Sequence, residues 1–286
     1  MDSPDLGRGV LHPARAAEAI TVDRLEPAPA VARFVEFYWL VRWDRRGLPP
    51  HEQKVLAHPN VHLVFEAPQA RVHGVDRSLF VRRLEGAGFA LGVKFRPGAF
   101  RPFAGHPVAA IADRSVPAAE YFGPGADRLN EQLHRSPEGP AARVDAFLLP
   151  RLPAPDPLAE EVAAMVERIT GTPDLCRVDA LARELGLTVR RLQRLFAEYV
   201  GSSPKWVLRR ARLHEAAERA DTGGALDLAA LAAELGYADQ AHLTRDFTAA
   251  VGTSPARYAG AARRGTPAVT PPGGIKPPGS AAVRPA

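Results

Sequence analysis

The chain contains the sequence LARELGLTVRRLQRLF at residues 181–196 and a second version of it, LAAELGYADQAHLTRDF, at residues 231–247. Gly186 corresponds to Gly236 and Phe196 to Phe247, so the second copy has one extra residue just after its glycine. Each copy is followed by a Gly-x-Ser-Pro junction, at residues 201–204 and 252–255. Glycine permits the left-handed conformation in which one helix stops before the next begins. The repeat therefore predicts two helix-turn-helix units.

The first copy places its apolar and polar residues on opposite faces of its second helix. Leu192, Leu195 and Phe196 recur at helical spacing and are predicted to face the core, and Thr188 is the natural N-cap of this helix. The opposite face carries a glutamine and three arginines without an acidic residue: Arg190, Arg191, Gln193 and Arg194. Such side chains suit contacts to DNA phosphates and to guanine and adenine edges in the major groove.

The second copy keeps the scaffold but presents a less basic surface. Leu243 and Phe247 occupy the core positions, and Asp239 is the predicted N-cap. Its outer face comprises Gln240, Ala241, His242, Thr244 and Arg245. Glutamine suits adenine, and arginine suits guanine or phosphate. We therefore predict that the first helix anchors affinity and most base reading, while the second helix tunes them.

A basic segment between the copies is predicted to be one continuous helix of roughly 18 residues, about 27 Å long. It follows Pro204, begins with Lys205 and contains neither glycine nor proline up to Arg219. A rigid spacer of this length would set two recognition helices near one DNA turn apart, roughly 34 Å. Its arginines, at 209, 210 and 212, lie along the helix and are available to phosphates.

This order of motifs, over about residues 158–264, resembles the DNA-binding domain of the AraC/XylS transcriptional regulators. The resemblance places base reading on six side chains: Arg190, Gln193, Arg194, Gln240, His242 and Arg245. With it we predict phosphate contacts from Arg191, Thr244, Lys205, Arg209, Arg210 and Arg212. It implies an effector-responsive regulator that binds double-stranded promoter or operator DNA, contacts RNA polymerase and activates rather than represses. Relatives often have a small polar or aromatic residue where this chain has Ala241 and His242, which reduces the expected specificity of the second helix.

The first half of the chain has a different pattern, and the predicted fold class is α+β. Residues 34–43, 61–65 and 89–95 are rich in aromatic and β-branched residues and end near proline or glycine, which favours a small antiparallel sheet or barrel. Residues 117–134 and 141–149 are predicted to be helices. Parts of this region are similar to a β-rich domain that precedes the DNA-binding module in some bacterial regulators, which implies a sensor or dimerisation domain.

Proline marks the predicted domain boundary, because residues 150–157 contain four prolines in eight positions. We predict a flexible lead-in at 1–20, a β-rich domain at 21–149, a linker at 150–157, an all-helical domain at 158–264 and a disordered tail at 265–286. Asp156 is expected to cap the helix that begins at Pro157.

Composition narrows the classes of protein that fit. The formal net charge of +5 suits a polyanionic partner, and the single cysteine, Cys176, fits a reducing cytoplasm. We find neither a long apolar run nor a basic-then-apolar leader, so membrane insertion is not expected. Nucleotide-binding loops, nucleophile elbows and zinc-protease helices are absent from the sequence, which predicts a non-enzyme without metal or other cofactor.

Several readings stay open from the sequence. His58 and His62 could lie on one strand about 13 Å from first to last residue, or His58 could belong to a turn before Pro59; only convergent ligands would bind a metal. The aromatic residues Trp39, Trp43, Phe65 and Phe95 form either core or a ligand cage. The first domain could be a small-molecule binder or metal-dependent enzyme localised by the helical domain, and the whole chain could be a non-specific nucleoid binder. A monomer and a homodimer both fit.

Overall fold

The computed structural model describes residues 7–136, 138–172, 175–222 and 226–265. It has an N-terminal β-rich domain with helices and a C-terminal all-helical domain, which confirms the predicted fold class. The predicted disordered tail lies outside the described residues beyond position 265, as do the first six residues of the lead-in. No helix among the described residues is long and apolar enough to cross a membrane.

Eight strands account for the β structure of the described residues: β1 (Thr21–Leu25), β2 (Val35–Arg45), β3 (His51–Leu56), β4 (His62–Phe65), β5 (Arg71–His73), β6 (Leu79–Leu84), β7 (Gly86–Phe95) and β8 (Ser115–Pro117). Six of them form an antiparallel sheet in the order β1-β2-β7-β4-β5-β8, and β3 pairs with β6 in a separate ribbon. The expected strands at 34–43, 61–65 and 89–95 correspond to β2, β4 and β7, the centre of the larger sheet.

The long strand β2 alternates its side chains between two faces. Tyr38 and Leu40 are buried in the domain core, whereas Trp39 and Trp43 lie half-buried on the opposite face. Trp39 packs over Gly92 of β7, where an added Cβ atom would lie only 1.9 Å from the indole ring. The aromatic residues therefore divide: Phe65 and Phe95 are core, and the two tryptophans cover glycines of the neighbouring strand.

Short helices cover the buried face of the sheet: α2 (Arg101–Ala104), α3 (Ala119–Phe122), α4 (Gly125–Arg135) and α5 (Pro140–Leu148). The single helix expected at 117–134 is instead the end of β8 followed by α3 and α4. Gly123 interrupts it because its φ of +68° is incompatible with a continuing helix, and Pro124 follows directly.

The C-terminal domain follows a segment without regular secondary structure at 152–156. It comprises α6 (Pro157–Thr170), α7 (Val178–Glu184), α8 (Val189–Leu195), α9 (Pro204–Asp221), α10 (Leu228–Glu234), α11 (Gln240–Val251) and α12 (Pro255–Gly265). Asp156 caps α6, as expected, by accepting a hydrogen bond from the Leu158 amide at 2.9 Å. A π-helical turn at Phe196–Val200 extends α8.

Helix α9 joins two separate hydrophobic cores. Its first half packs with α6, α7 and α8 through Val207, Leu208 and Ala211. Its second half packs with α10, α11 and α12 through Leu213, Ala216 and Ala217, among others. The two helix-turn-helix units are thus independent apolar clusters built on one continuous 18-residue helix.

The predicted flexible lead-in is held in place over its described part, which corrects that interpretation. Leu11 is 5% exposed and belongs to the core of the second helix-turn-helix unit, and α1 (Pro13–Ala17) follows it. The backbone around Gly9 also pairs with the end of β3, because the Leu56 amide donates to the Gly9 carbonyl at 2.8 Å. These contacts join distant parts of the chain, and short-range sequence patterns do not reveal them.

Candidate DNA-binding surface

The first helix-turn-helix unit consists of α7, a tight turn and α8. The turn is made at Gly186, whose φ of +65° is the left-handed conformation that ends α7. The Thr188 hydroxyl then accepts a hydrogen bond from the Arg191 amide at 3.2 Å, which is the capping role expected from the sequence. Leu192 and Phe196 are fully buried beneath α8. This inward anchoring turns the other face of α8 towards solvent.

The outer face of α8 carries unpaired positive charge. Arg190, Gln193 and Arg194 are exposed, and Arg191 is half-buried. Within the described residues, no carboxylate forms an ion pair with any of these three arginines. Several arginines elsewhere in the domain do pair with acidic residues; Arg168, for example, forms an ion pair with Glu184 at 2.8 Å. The arginines of α8 are therefore free to bind an external anion.

The second unit repeats this geometry with α10, a turn at Gly236 and α11. Gly236 has a φ of +66°, and the Asp239 carboxylate accepts from the His242 amide at 2.6 Å to cap α11. Leu243 and Phe247 are fully buried, like their counterparts in α8. The exposed residues of α11 are Gln240, Ala241 and Arg245, whereas His242 and Thr244 are half-buried. The second surface is smaller and less charged than the first.

The three arginines of α9 for which phosphate contacts are predicted already have partners within the protein. Arg210 is only 3% exposed, and its guanidinium donates to the Arg77 carbonyl of the N-terminal domain at 2.8 Å. Burial lowers the pKa of Arg210 to about 10. Arg209 forms an ion pair with Asp246 at 2.9 Å, and Arg212 stacks on the ring of Tyr237 at 4.4 Å. Among the basic residues predicted on this helix, Lys205 is exposed.

This geometry agrees with a comparison against protein families. Residues 181–261 match the model of a helix-turn-helix domain, and residues 23–117 match a domain of unknown function, DUF6597. The chain carries an AraC-type helix-turn-helix domain. The match begins at the first residue of the duplicated sequence and ends within α12, so it covers both units. The match supports a role in DNA binding and transcription regulation.

Several solved structures resemble the chain at low TM-scores, and no protein of curated function matches it. The C-terminal domain of AraT, a response regulator from Geobacillus stearothermophilus, is 24% identical, covers 40% of this chain and 92% of its own, and has a TM-score of 0.33. ToxT from Vibrio cholerae O395 is 11% identical, covers 85% of this chain and 97% of its own, and has a TM-score of 0.36. ToxT with bound unsaturated fatty acid is 10% identical, covers 84% and 94%, and has a TM-score of 0.35.

The N-terminal domain and the lead-in segment before it contact the two units of the AraC-type domain. On the first unit, Arg101 pairs with Glu198 at 2.5 Å, and Gly201 lies so close to Val108 that an added Cβ atom would be 2.9 Å away. On the second unit, the ring of His12 stacks on Tyr258 with centroids 3.9 Å apart. The Tyr258 hydroxyl in turn donates to Asp221 at 2.8 Å, at the end of α9. Both reading units are therefore contacted by the N-terminal half of the chain.

The middle of α9 contacts the N-terminal domain through two stacked histidines. The rings of His58 and His214 lie 4.0 Å apart at an interplanar angle of 15°. Burial lowers the pKa of His58 to about 3 and that of His214 well below 6.5, so both rings are neutral near pH 7. The His58 Nε2 atom donates to the Arg8 carbonyl at 2.8 Å, which fixes its tautomer.

The histidines considered as metal ligands serve different contacts. His58 precedes β4 and stacks on α9, whereas His62 lies within β4 and accepts a hydrogen bond from the Trp39 indole at 3.1 Å. In the part of the chain that the structure describes, no three His, Cys, Asp or Glu side chains converge as a metal site would require. The absence of a metal or other cofactor stays a prediction.

Two functional features escaped the sequence reasoning. The lead-in segment contacts the second unit, and α9 faces the N-terminal domain with Arg210 and His214. A signal was present in α9, because an arginine and a histidine four residues apart share one helix face with buried alanines. Polar residues on a core-facing stripe indicate a polar interface, but they do not identify its partner.

Proposed function

We propose that the protein is a sequence-specific DNA-binding regulator of transcription in which α8 and α11 enter successive major-groove segments on one face of the DNA. The observation that carries this proposal is the outer face of α8, where three arginines without carboxylate partners among the described residues surround an exposed glutamine. This surface carries positive charge that no carboxylate of the described residues neutralises, and DNA phosphates can neutralise it. The surface lies on the second helix of the unit, and in helix-turn-helix proteins this helix contacts the bases.

Each exposed side chain has a proposed role. The long exposed donors on the outer face of α8, Arg190, Gln193 and Arg194, read bases, with Arg191 on a phosphate. In α11, Gln240 and Arg245 read bases and Thr244 contacts a phosphate. His242 has a smaller share than the sequence suggests, because it is half-buried and its ring packs at a right angle to that of Tyr237, with the centroids 5.1 Å apart. Lys205, exposed at the start of α9, completes the phosphate contacts.

The N-terminal domain is proposed to sense an effector and to transmit the signal by its contacts with both units. Supporting this, the His58–His214 stack and the Arg101–Glu198 pair join it to α9 and to the first unit. A small-molecule effector that shifts the domain would change the relative position of the two reading helices. Activation through RNA polymerase and a cytoplasmic location are proposed on the AraC/XylS resemblance alone, and both monomer and homodimer fit.

The proposal is tested by DNA binding of the full chain. A DNA site is first enriched from a random library and then titrated by fluorescence anisotropy at physiological salt, with scrambled DNA of equal length as control. We expect the enriched site to bind at least about 10³-fold more tightly than scrambled DNA. Equal affinities for the two DNAs would instead identify a non-specific nucleoid-type binder.

A second measurement addresses the alternative in which the first domain is a metal-dependent enzyme. Elemental analysis of the purified chain for zinc, iron and nickel, made beside the DNA titration, separates the two. A stoichiometric metal would favour that alternative. The prediction that the chain is not an enzyme otherwise stays a prediction, because a match to a DNA-binding domain says nothing of catalysis in the other domain.

A further inference from the structure

An ion pair joins α9 directly to the second recognition helix. The Arg209 guanidinium contacts the Asp246 carboxylate at 2.9 Å, and the Asp246 side chain is only 18% exposed. Asp246 lies in α11 between Arg245, which faces solvent, and Phe247, which is fully buried. An aspartate at the margin of the core has a fixed direction, so its partner on α9 restrains the rotation of α11 about its own axis.

A second contact restrains the N-terminal end of the same helix. Arg212, three residues beyond Arg209, lies on the same side of α9, and its guanidinium stacks on the Tyr237 ring at 4.4 Å. Tyr237 is 5% exposed and sits in the turn between α10 and α11. Its ring packs at a right angle to that of His242, in the first turn of α11, with the ring centroids 5.1 Å apart. A chain of contacts thus runs from α9 to the residues that would enter the groove.

The first unit lacks both restraints. In the aligned repeats, Leu187 stands where the second unit has Tyr237, and Leu195 stands where it has Asp246. Both leucines pack on the apolar core shared with α6 and the first half of α9. The first recognition helix is therefore held by apolar packing alone at these positions, whereas the second is held by two arginines of α9.

We propose that Arg209 and Arg212 are positioning residues that set the orientation of α11 on DNA. This inference rests on the proposed function. Each guanidinium is already engaged with a group of the second unit: Arg209 with the Asp246 carboxylate and Arg212 with the face of the Tyr237 ring. The predicted consequence is that removing either arginine weakens reading of the second half of the DNA site and leaves the first half unchanged.

The test uses the full chain with Arg209→Ala, Asp246→Ala and the double variant. Binding to the enriched site and to a version with a scrambled second half is measured by anisotropy across a range of NaCl concentrations. We expect each single variant to lose about three- to tenfold in affinity for the intact site, the double variant to lose no more than either single variant, and the scrambled site to be unaffected. The slope of log affinity against log salt should not change.

The opposite outcome would assign Arg209 to a phosphate. In that case Arg209→Ala would reduce the slope of log affinity against log salt by about 0.9 and weaken binding to all DNAs equally. Asp246→Ala would leave the affinity unchanged or increase it. Lys205→Ala is the matched control, because removing this exposed phosphate contact should reduce the slope of log affinity against log salt. If wild-type protein shows no preference for the enriched site, the proposed function itself fails.

Two further variants separate positioning from loss of folding. The exchange Arg209→Asp with Asp246→Arg should restore affinity for the intact site, which a general loss of stability would not allow. Arg212→Ala should reproduce the selective loss on the second half-site, and Arg212→Lys should recover part of it, because an ammonium also binds an aromatic face. Thermal unfolding of every variant shows whether the fold is kept. Failure of the exchange to restore affinity in a folded protein would overturn the proposal.

Discussion

The two helix-turn-helix units share a scaffold but differ in what they present and in how they are supported. Both use a glycine with φ near +65°, a capping side chain and a buried leucine and phenylalanine. The first presents three arginines on a helix packed by leucines, whereas the second presents one arginine on a helix tied to α9 by polar contacts. Repetition of a scaffold therefore does not imply repetition of function, because the few solvent-facing positions vary independently of the core.

The scaffold itself should respond equally in the two units, and this is the largest effect expected. Phe196→Ala and Phe247→Ala each remove a fully buried ring, and each should lower the free energy of unfolding by about 3 to 5 kcal/mol. Urea unfolding followed by circular dichroism measures both. If one substitution costs less than about 1 kcal/mol, the two cores are not equivalent and the comparison fails at its base.

The outer faces should respond unequally. Arg194 and Arg245 occupy the same position in the aligned repeats, and both are exposed. Arg194→Ala should cost about 1 to 3 kcal/mol on the enriched site, and Arg245→Ala should cost less, because α8 carries more of the base reading. Anisotropy titrations on the enriched and scrambled DNAs measure both. Equal loss on the two DNAs would make Arg194 a phosphate contact, and a larger cost for Arg245 would reverse the assigned order.

Acid should weaken the docking that the histidines provide at α9. The pKa of His58 is lowered from 6.5 to about 3 by burial, and the cations Lys94, Arg8 and Arg210 add to the effect. The folded state therefore holds His58 neutral, while the unfolded state takes up a proton below about pH 6.5. Stability is complete above that pH and falls as the pH drops towards 3, by about 1.4 kcal/mol at pH 5.5 from this one group.

The matched variant for this prediction is His58→Phe, which keeps a ring on His214 and removes the titration. Urea unfolding at pH 7.5 and pH 5.5 should show a loss on acidification that is about 1.4 kcal/mol smaller in the variant. The Arg101–Glu198 ion pair, which joins the N-terminal domain to the first unit, involves no histidine. An identical loss in wild type and variant would show that His58 does not carry the pH dependence.

The smallest effect should come from the caps. Thr188→Ala and Asp239→Ala each remove a side chain that accepts from a first-turn amide, and each should cost about 1 kcal/mol. Thr188→Ser and Asp239→Asn retain an acceptor and serve as controls, with almost no loss expected. Thermal unfolding measures the four variants. A cost for the serine control equal to that of alanine would mean that the hydroxyl is not the stabilising group.

The sequence predicted the parts of this structure that short-range chemistry determines. Gly186, Gly236, Thr188 and Asp239 act within a few residues of their position, so the turns and caps of both units could be read from the pattern. The central strands β2, β4 and β7 were predictable as well, because both their faces are largely apolar or aromatic. The prediction of a single helix at 117–134 was wrong, because Gly123 adopts a φ of +68° and divides the segment.

Contacts between distant segments could not be predicted. Strands β3 and β6 form a separate ribbon with Glu52, Arg82 and Arg83 exposed, and neither strand has the long run of apolar residues that marks β2 and β7. Arg210 has the composition of a surface residue, yet it is buried against a carbonyl more than a hundred residues away. Leu11 lies in a segment rich in proline, glycine and alanine, and only the folded chain brings it to the second unit. Local patterns thus describe each unit but not what holds it.

Selection of DNA from a random library by the full wild-type chain tests the central claim most directly. The account predicts two enriched blocks about one helical turn apart, roughly 10 base pairs from centre to centre, with the stronger base preference in the block bound by α8. Assignment of the blocks follows from repeating the selection with Arg194→Ala, which should relax the stronger one. Absence of enrichment, or a stronger block that Arg194→Ala leaves intact, would contradict the account of two unequal reading helices.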